Sequence, residues 1–226
     1  MRFKTLLALS VLLGGGCAKD PSTEVAPAKV SPAQTPATPS SQGASGKAEV
    51  KANQPVPKLT GIALQGEIAF VGSKVTGSHT GRFTNWIGTA QLDASDQLTS
   101  ISIVVQTKDL EADYEAPTKW TPKLEAHLKD DDFFASSRFP TATFQLDKVS
   151  AIEGSSGGAT HQLGGTFTIR GVSKGITFPA TVSSTKPFAA RAEFSIKRKD
   201  FGIMYEGKKD NLIRDGVVLK IDLKAK

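Results

Sequence analysis

The sequence predicts an all-β fold: an antiparallel barrel of about eight strands with one short helix, carried by residues 58–226 behind an export signal and a spacer. Three observations predict it. Beyond Lys58 apolar residues recur with a period of two, the mark of strands that bury one face. Clusters of turn-forming residues separate the alternating runs. A single stretch has helical spacing and helix-start chemistry instead.

Taken along the chain, Ile68 and Phe70 open the series, and Ala90 and Leu92 follow. Ile101, Ile103 and Val105 alternate with Ser100, Ser102 and Val104, and Ala142, Phe144 and Leu146 alternate with Thr141, Thr143 and Gln145. Phe167 and Ile169 oppose Thr166, Thr168 and Arg170, while Ile176, Phe178, Ala180 and Val182 face away from Thr177, Pro179 and Thr181. Ala192, Phe194 and Ile196 oppose Glu193, Ser195 and Lys197, and Val217, Leu219, Ile221 and Leu223 close the set. Turns fall at 93–96, 153–158 and 171–175, all rich in Gly, Ser or Asp. The helix is expected at Thr121–Leu128, where Thr121 is an N-cap candidate, Pro122 sits at the first helical position, and Leu124 and Leu128 share a face.

Residues 1–17 have a different logic. Arg2 and Lys4 precede an apolar run from Thr5 to Leu13, and three glycines lead into Cys17, the single cysteine of the chain. The run is short of the ~20 residues of a membrane span and matches an export signal. A Cys directly after small residues resembles the bacterial lipobox, although Gly14 stands where that motif usually has Leu. The resemblance implies that the Cys17 thiol receives a diacylglycerol and becomes the first mature residue, acylated by fatty acids such as palmitate. Each buried methylene adds about 0.8 kcal/mol, so two or three chains anchor stably. Ala18 in place of Asp after the Cys implies, by resemblance to enterobacterial sorting, the outer membrane facing the periplasm.

Residues 18–57 hold seven prolines among Ala, Ser, Thr and Gln, and no aromatic residue. Such a composition cannot bury enough apolar area to offset its ordering entropy, so a disordered, partly extended tether is expected. At ~3 Å per residue it would reach on the order of 100 Å.

The formal net charge of +6 invites a nucleic-acid partner, but six of the 28 basic and three of the 22 acidic residues precede residue 58. The remaining 22 and 19 alternate in sign, and no basic stripe forms a phosphate-tracking footprint, so nucleic acid is not expected. Two Trp and two Tyr are too few for the aromatic girdles of a membrane-spanning barrel, and the outward positions carry Lys, Glu, Asp and Thr. The barrel therefore reads as soluble and tethered.

No catalytic constellation emerges, and the chain is not expected to be an enzyme. Asp200-Phe201-Gly202 lacks the companions of a kinase motif, and Ser78 and His79 are neighbours on a strand and point to opposite faces. His79, His127 and His161 are far apart in sequence, and the run Asp130 to Asp132 lacks the Gly and distal Glu of a calcium loop, so neither metal nor cofactor is expected.

Four stretches occur in order over nearly all of 59–226: Phe70 to Phe83 with its His-x-Gly-x-Phe element, His127 to Phe144, Leu163 to Phe178, and Ala192 to Ile203. Together they resemble the YceI family of lipocalin-like periplasmic proteins. The resemblance implies an eight-stranded antiparallel barrel whose apolar lumen holds an isoprenoid lipid, such as a quinone or a polyprenyl chain. A barrel of eight strands has interior enough to pack itself or to hold one slim ligand. The candidate inward positions are Phe70, Phe83, Ile103, Phe144, Phe167, Ile169, Phe178, Phe194 and Ile196, with His79 placed to meet a head group at the mouth. Two functions follow as alternatives: a lipid-anchored carrier or store for an isoprenoid lipid, and a solid-core structural or adaptor module of the envelope. Homodimerisation stays open.

Overall fold

In a computed structural model of the chain, residues 18–32, 61–154, 158–183 and 187–226 are described. Alternation does what period two demands at Ile101 and Ile103, 3% and 6% exposed between half-buried Ser100 and Ser102, while Val104 on the opposite face is also buried, at 4%. Twelve strands and one helix occur among the described residues: β1 (Lys29–Pro32), β2 (Ile62–Lys74), β3 (Gly77–Phe83), β4 (Trp86–Leu92), β5 (Leu98–Gln106), β6 (Leu110–Ala112), α1 (Thr121–Lys129), β7 (Thr141–Ala151), β8 (His161–Ile169), β9 (Val172–Ser183), β10 (Ala189–Lys197), β11 (Gly207–Lys208) and β12 (Asn211–Ala225).

Eight of the strands close a barrel in the order β2-β4-β5-β7-β8-β9-β10-β12, and the long pairing of β12 with β2 joins the ends. These are the eight runs that alternate in the sequence. Strand β2 serves two neighbours, pairing β4 through Ile62 and Ala63 and β3 from Ala69 to Lys74. β3 and β6 extend the wall beyond the eight. All strand pairs in the closed ring are antiparallel, so the inward residues of every strand meet in one core that includes Ala90, Leu146, Phe178, Phe194 and Leu223. The antiparallel register also sorts the connections. One end of the barrel carries the β2–β3 turn, the segment between β6 and β7 with α1, the Arg170–Gly171 turn and residues 198–210. The helix starts at Thr121 and runs to Lys129, one residue past Leu128; the Thr121 hydroxyl accepts from the Thr118 amide instead of capping the helix itself.

One expectation is corrected. Residues 18–32, taken from composition as the start of a disordered tether, are held on the barrel. β9 and β10 pair through Thr181–Ser183 and Ala189–Arg191 and then part. Residues 26–32 fill the seam: the Ala28 amide donates to Ser195 O (2.8 Å), the Ser195 amide donates to Ala26 O (3.0 Å), and β1 pairs β9 from Lys29↔Thr177 to Pro32↔Lys174. The polar backbone of a parted seam needs partners, and a Pro-rich strand can supply them with no buried side-chain pattern. The remainder of the expected tether, 33–57, and the signal region with Cys17 lie outside the described residues.

Close packing sets one glycine. A Cβ on Gly81 would lie 2.2 Å from Phe70 Cζ, because the Phe70 ring crosses β3 at the paired position. Gly81→Val is expected to cost about 1–3 kcal/mol by overpacking. A urea-unfolding midpoint measures it.

Candidate functional site

The candidate site is the barrel lumen, a cavity of about 170 Å³ whose walls present apolar atoms to the interior. Seven of the eight closing strands, all but β4, aim side chains into it, so its character follows from the inward sequence positions. Phe70, Phe83, Ile103, Phe144, Phe167, Ile169, Phe178, Phe194 and Ile196 all line it.

The rings form two walls. On one side Phe178 stacks on Phe194 with centroids 4.0 Å apart and planes 12° from parallel. Phe144 leans on Phe178 at 5.6 Å, and Phe167 meets Phe201 edge-on at 5.5 Å. On the other, Phe70, Phe83 and Phe134 make a triangle with sides of 5.6, 6.1 and 5.6 Å. Offset and edge-to-face contacts of this kind suit ring quadrupoles and hold a wall in shape.

His79 lies elsewhere. It shares the inward face of β3 with Gly81 and Phe83, but at the rim, where its Nδ1 is 2.9 Å from Asp113 Oδ2. The imidazole is 41% exposed at the mouth and is not among the residues of the cavity wall itself.

Five apolar contributors to the wall do not belong to strands: Leu128 at the end of α1, Phe133 and Phe134 in the loop after it, and Phe201 and Ile203 around the short 3-10 turn Arg198–Phe201, whose Arg198 also borders the cavity. They close the helix-bearing end from above. Arg170 Nη1 ties that loop down by donating to the carbonyls of Asp131 (2.7 Å) and Phe133 (2.5 Å). The adjacent Phe133-Phe134 pair after three aspartates was the available signal, but it has no period to interpret.

Arg198, in the 3-10 turn at the same end of the lumen, is a buried charge, 4% exposed. Its Nη1 donates to Ile203 O (2.7 Å), its Nε to Arg214 O (3.0 Å) and its Nη2 to Ile213 O (3.2 Å). Burial lowers its pKa from the usual arginine value, with Asp215 and Glu206 opposing that shift. The guanidinium thus serves backbone, fastening residues 198–203 to the start of β12. Phe201, in the middle of the Asp-Phe-Gly sequence, is fully buried, and Gly202 ends the turn at φ +75°.

The polar motifs have local partners. Asp131 pairs with Arg138 (3.0 Å), His127 Nε2 with Asp132 (2.9 Å), and His161 Nδ1 is 2.8 Å from the Thr160 hydroxyl. Among the described residues no three His, Cys, Asp or Glu side chains gather as metal ligands would.

Three comparisons bear on this site. A family model, the YceI-like domain, matches residues 63–225. A UPF0312 protein of Pseudomonas fluorescens is 31% identical over 176 residues, covering 72% of this chain and 85% of that protein. Among solved structures, BcnA of Burkholderia cenocepacia superposes with a TM-score of 0.59 at 21% identity over 71% of this chain and 96% of its own. A structure described as a polyisoprenoid binding domain from Saccharophagus degradans gives 0.51 at 16% identity, covering 71% and 94%. At these identities the structural likeness speaks to the fold.

Proposed function

The chain belongs to the YceI-like domain family, and from that premise we propose that it is a lipid-anchored envelope protein that binds an isoprenoid lipid, a quinone or polyprenyl chain, in its lumen as carrier or store. The observation that carries the reading is the lumen itself: a cavity whose walls offer apolar atoms and ring faces, with the guanidinium of the bordering Arg198 taken up by backbone carbonyls. Such walls favour a ligand held by area and shape, and offer nothing to polarise a substrate bond. A polyisoprenoid binding domain with the same fold supports the ligand class.

Size refines the reading. A cavity of about 170 Å³ is smaller than the roughly 300–1,000 Å³ of sites for drug-sized ligands. It takes an apolar segment as it stands, and a longer chain enters by turning aside the rings of Phe133 and Phe134, which belong to a loop and not to the strand lattice. The alternative, a solid-core adaptor, treats the same cavity as a packing defect and predicts no uptake.

Equilibrium uptake of a polyprenyl quinone by delipidated protein separates the two. Ala180 is 2% exposed and lines the lumen. Ala180→Phe fills the space and is expected to weaken uptake about tenfold, equivalent to ~1.4 kcal/mol, while the variant keeps a cooperative unfolding transition. Equal uptake by both proteins would remove the lumen as the site. Anchoring has its own test: Cys17→Ser is expected to release the protein from the membrane fraction and abolish fatty-acid labelling. Undiminished membrane association would refute it.

A further inference from the structure

We propose that the helix-bearing end of the barrel is a bilayer-docking surface, with Trp120, Met204 and Leu212 as its apolar contacts. The proposal rests on the lipid-anchor reading of Cys17 and adds to it an orientation.

Five large apolar side chains are exposed among the described residues, and three of them are on this end: Trp120 at 63%, Met204 at 59% and Leu212 at 47%. Single exposed apolar residues are ordinary. What sets these apart is where the chain leaves for the anchor. Ala18, the residue after Cys17, is fixed to the same end: its amide donates to Val75 O (3.2 Å), and the Val75 amide donates to Leu212 O (3.1 Å). Ala18 and Leu212 therefore flank one residue of the β2–β3 turn.

Arg214 locks the arrangement. Its Nη1 donates to Lys19 O (3.1 Å) and Lys74 O (3.2 Å), its Nη2 to Ala18 O, and its Nε is 3.7 Å from Asp20 Oδ2. Asp20 in turn caps the 3-10 turn Pro21–Thr23, whose Ser22 lies over Gly216 where a Cβ would be 2.0 Å from its hydroxyl. Consecutive Cα atoms are about 3.8 Å apart, so acyl chains on Cys17 must enter the membrane at this end. A barrel on a 40-residue leash could present any face to lipid; one held at Ala18 presents this one.

The chemistry of the end fits the headgroup level of a bilayer. Tryptophan prefers the headgroup level, where its ring is buried and its N–H stays wet. Lys119 stands 5.3 Å over the Trp120 ring, Lys123 follows one turn along α1, and Lys208 and Lys209 precede Leu212 in the β11–β12 hairpin. Of the acids on this end, Asp131, Asp132 and Glu206 are engaged by Arg138, His127 and Lys199, Asp113 by His79, and Glu125 accepts from the Ala112 amide; Glu115, Asp130, Asp200 and Asp210 offset the four lysines, so the end docks through its apolar contacts more than through net charge. Each contact is weak alone, but the anchor makes the docking intramolecular, so little affinity suffices. The loop that covers the lumen, with Phe133 and Phe134, then faces the membrane from which a chain would come.

The test uses the full lipidated chain with Trp86→Phe, so that Trp120 is the sole indole, in vesicles of phosphatidylethanolamine and phosphatidylglycerol. Flotation with the vesicles, a blue-shifted emission, and about twofold quenching by brominated acyl chains are expected. Flotation with unshifted, unquenched emission would overturn the docking surface and leave the anchor intact. Failure to float would overturn the anchor reading and the docking with it. If Trp86→Phe does not fold, the difference in quenching between the parent chain and Trp120→Phe gives the same readout.

Discussion

Phe194→Ala is expected to lower the unfolding free energy by about 3–5 kcal/mol, the range for removing a buried aromatic ring from a packed core. Phe194 is 1% exposed and stacks on Phe178, which in turn supports Phe144. The strand partners leave little freedom to collapse into the gap, since β10 is paired with β12 along its whole length and Phe194 stands opposite Leu219. The loss should therefore sit toward the upper part of the range. Phe194→Leu, which keeps much of the volume, should recover a large share of it. Urea unfolding followed by circular dichroism measures both. A loss below about 1 kcal/mol would mean that the ring wall contributes little to the fold.

Arg198→Met is the second large effect, at about 3 kcal/mol or more. The substitution keeps an apolar stem and removes a guanidinium that serves three carbonyls from two segments. Hydrogen bonds from charged donors contribute about 1.5–3 kcal/mol each, and buried carbonyls left unpaired add their desolvation. Arg198→Lys retains a charge but reaches fewer of the three acceptors, because an ammonium is a point and the guanidinium a planar fork. It should restore less than half of the loss. Hydrogen exchange offers a second readout: the amides of Gly202 and Ile203, which donate to Lys199 O and Arg198 O, should lose protection first.

The eight closing strands were legible because each buries one face and exposes the other, so side-chain chemistry reports the period directly. β1 was not. All four of its residues are exposed, its composition is that of a spacer, and what holds it is backbone pairing in a seam that no local pattern announces. The same blindness covers the β3–β6 extension and the β11–β12 hairpin, where pairs are short. Within the lumen, positions such as Ile103, Phe144 and Phe178 followed from alternation. Leu128, Phe134, Phe201 and Ile203 did not, since they reach the cavity from a helix end, a loop and a 3-10 turn. At the rim, His79 pairs with Asp113, 34 residues away in sequence. Pairings at that distance depend on which strands meet in the fold and are invisible to a window of ten residues.

The proposal that the lumen is a pocket for an isoprenoid chain is tested most directly by extracting protein purified without detergent and identifying its lipids by mass spectrometry. The account predicts a quinone or polyprenyl species near one per barrel, depleted in Ala180→Phe. A folded barrel that yields no such lipid and takes up no added quinone would contradict it.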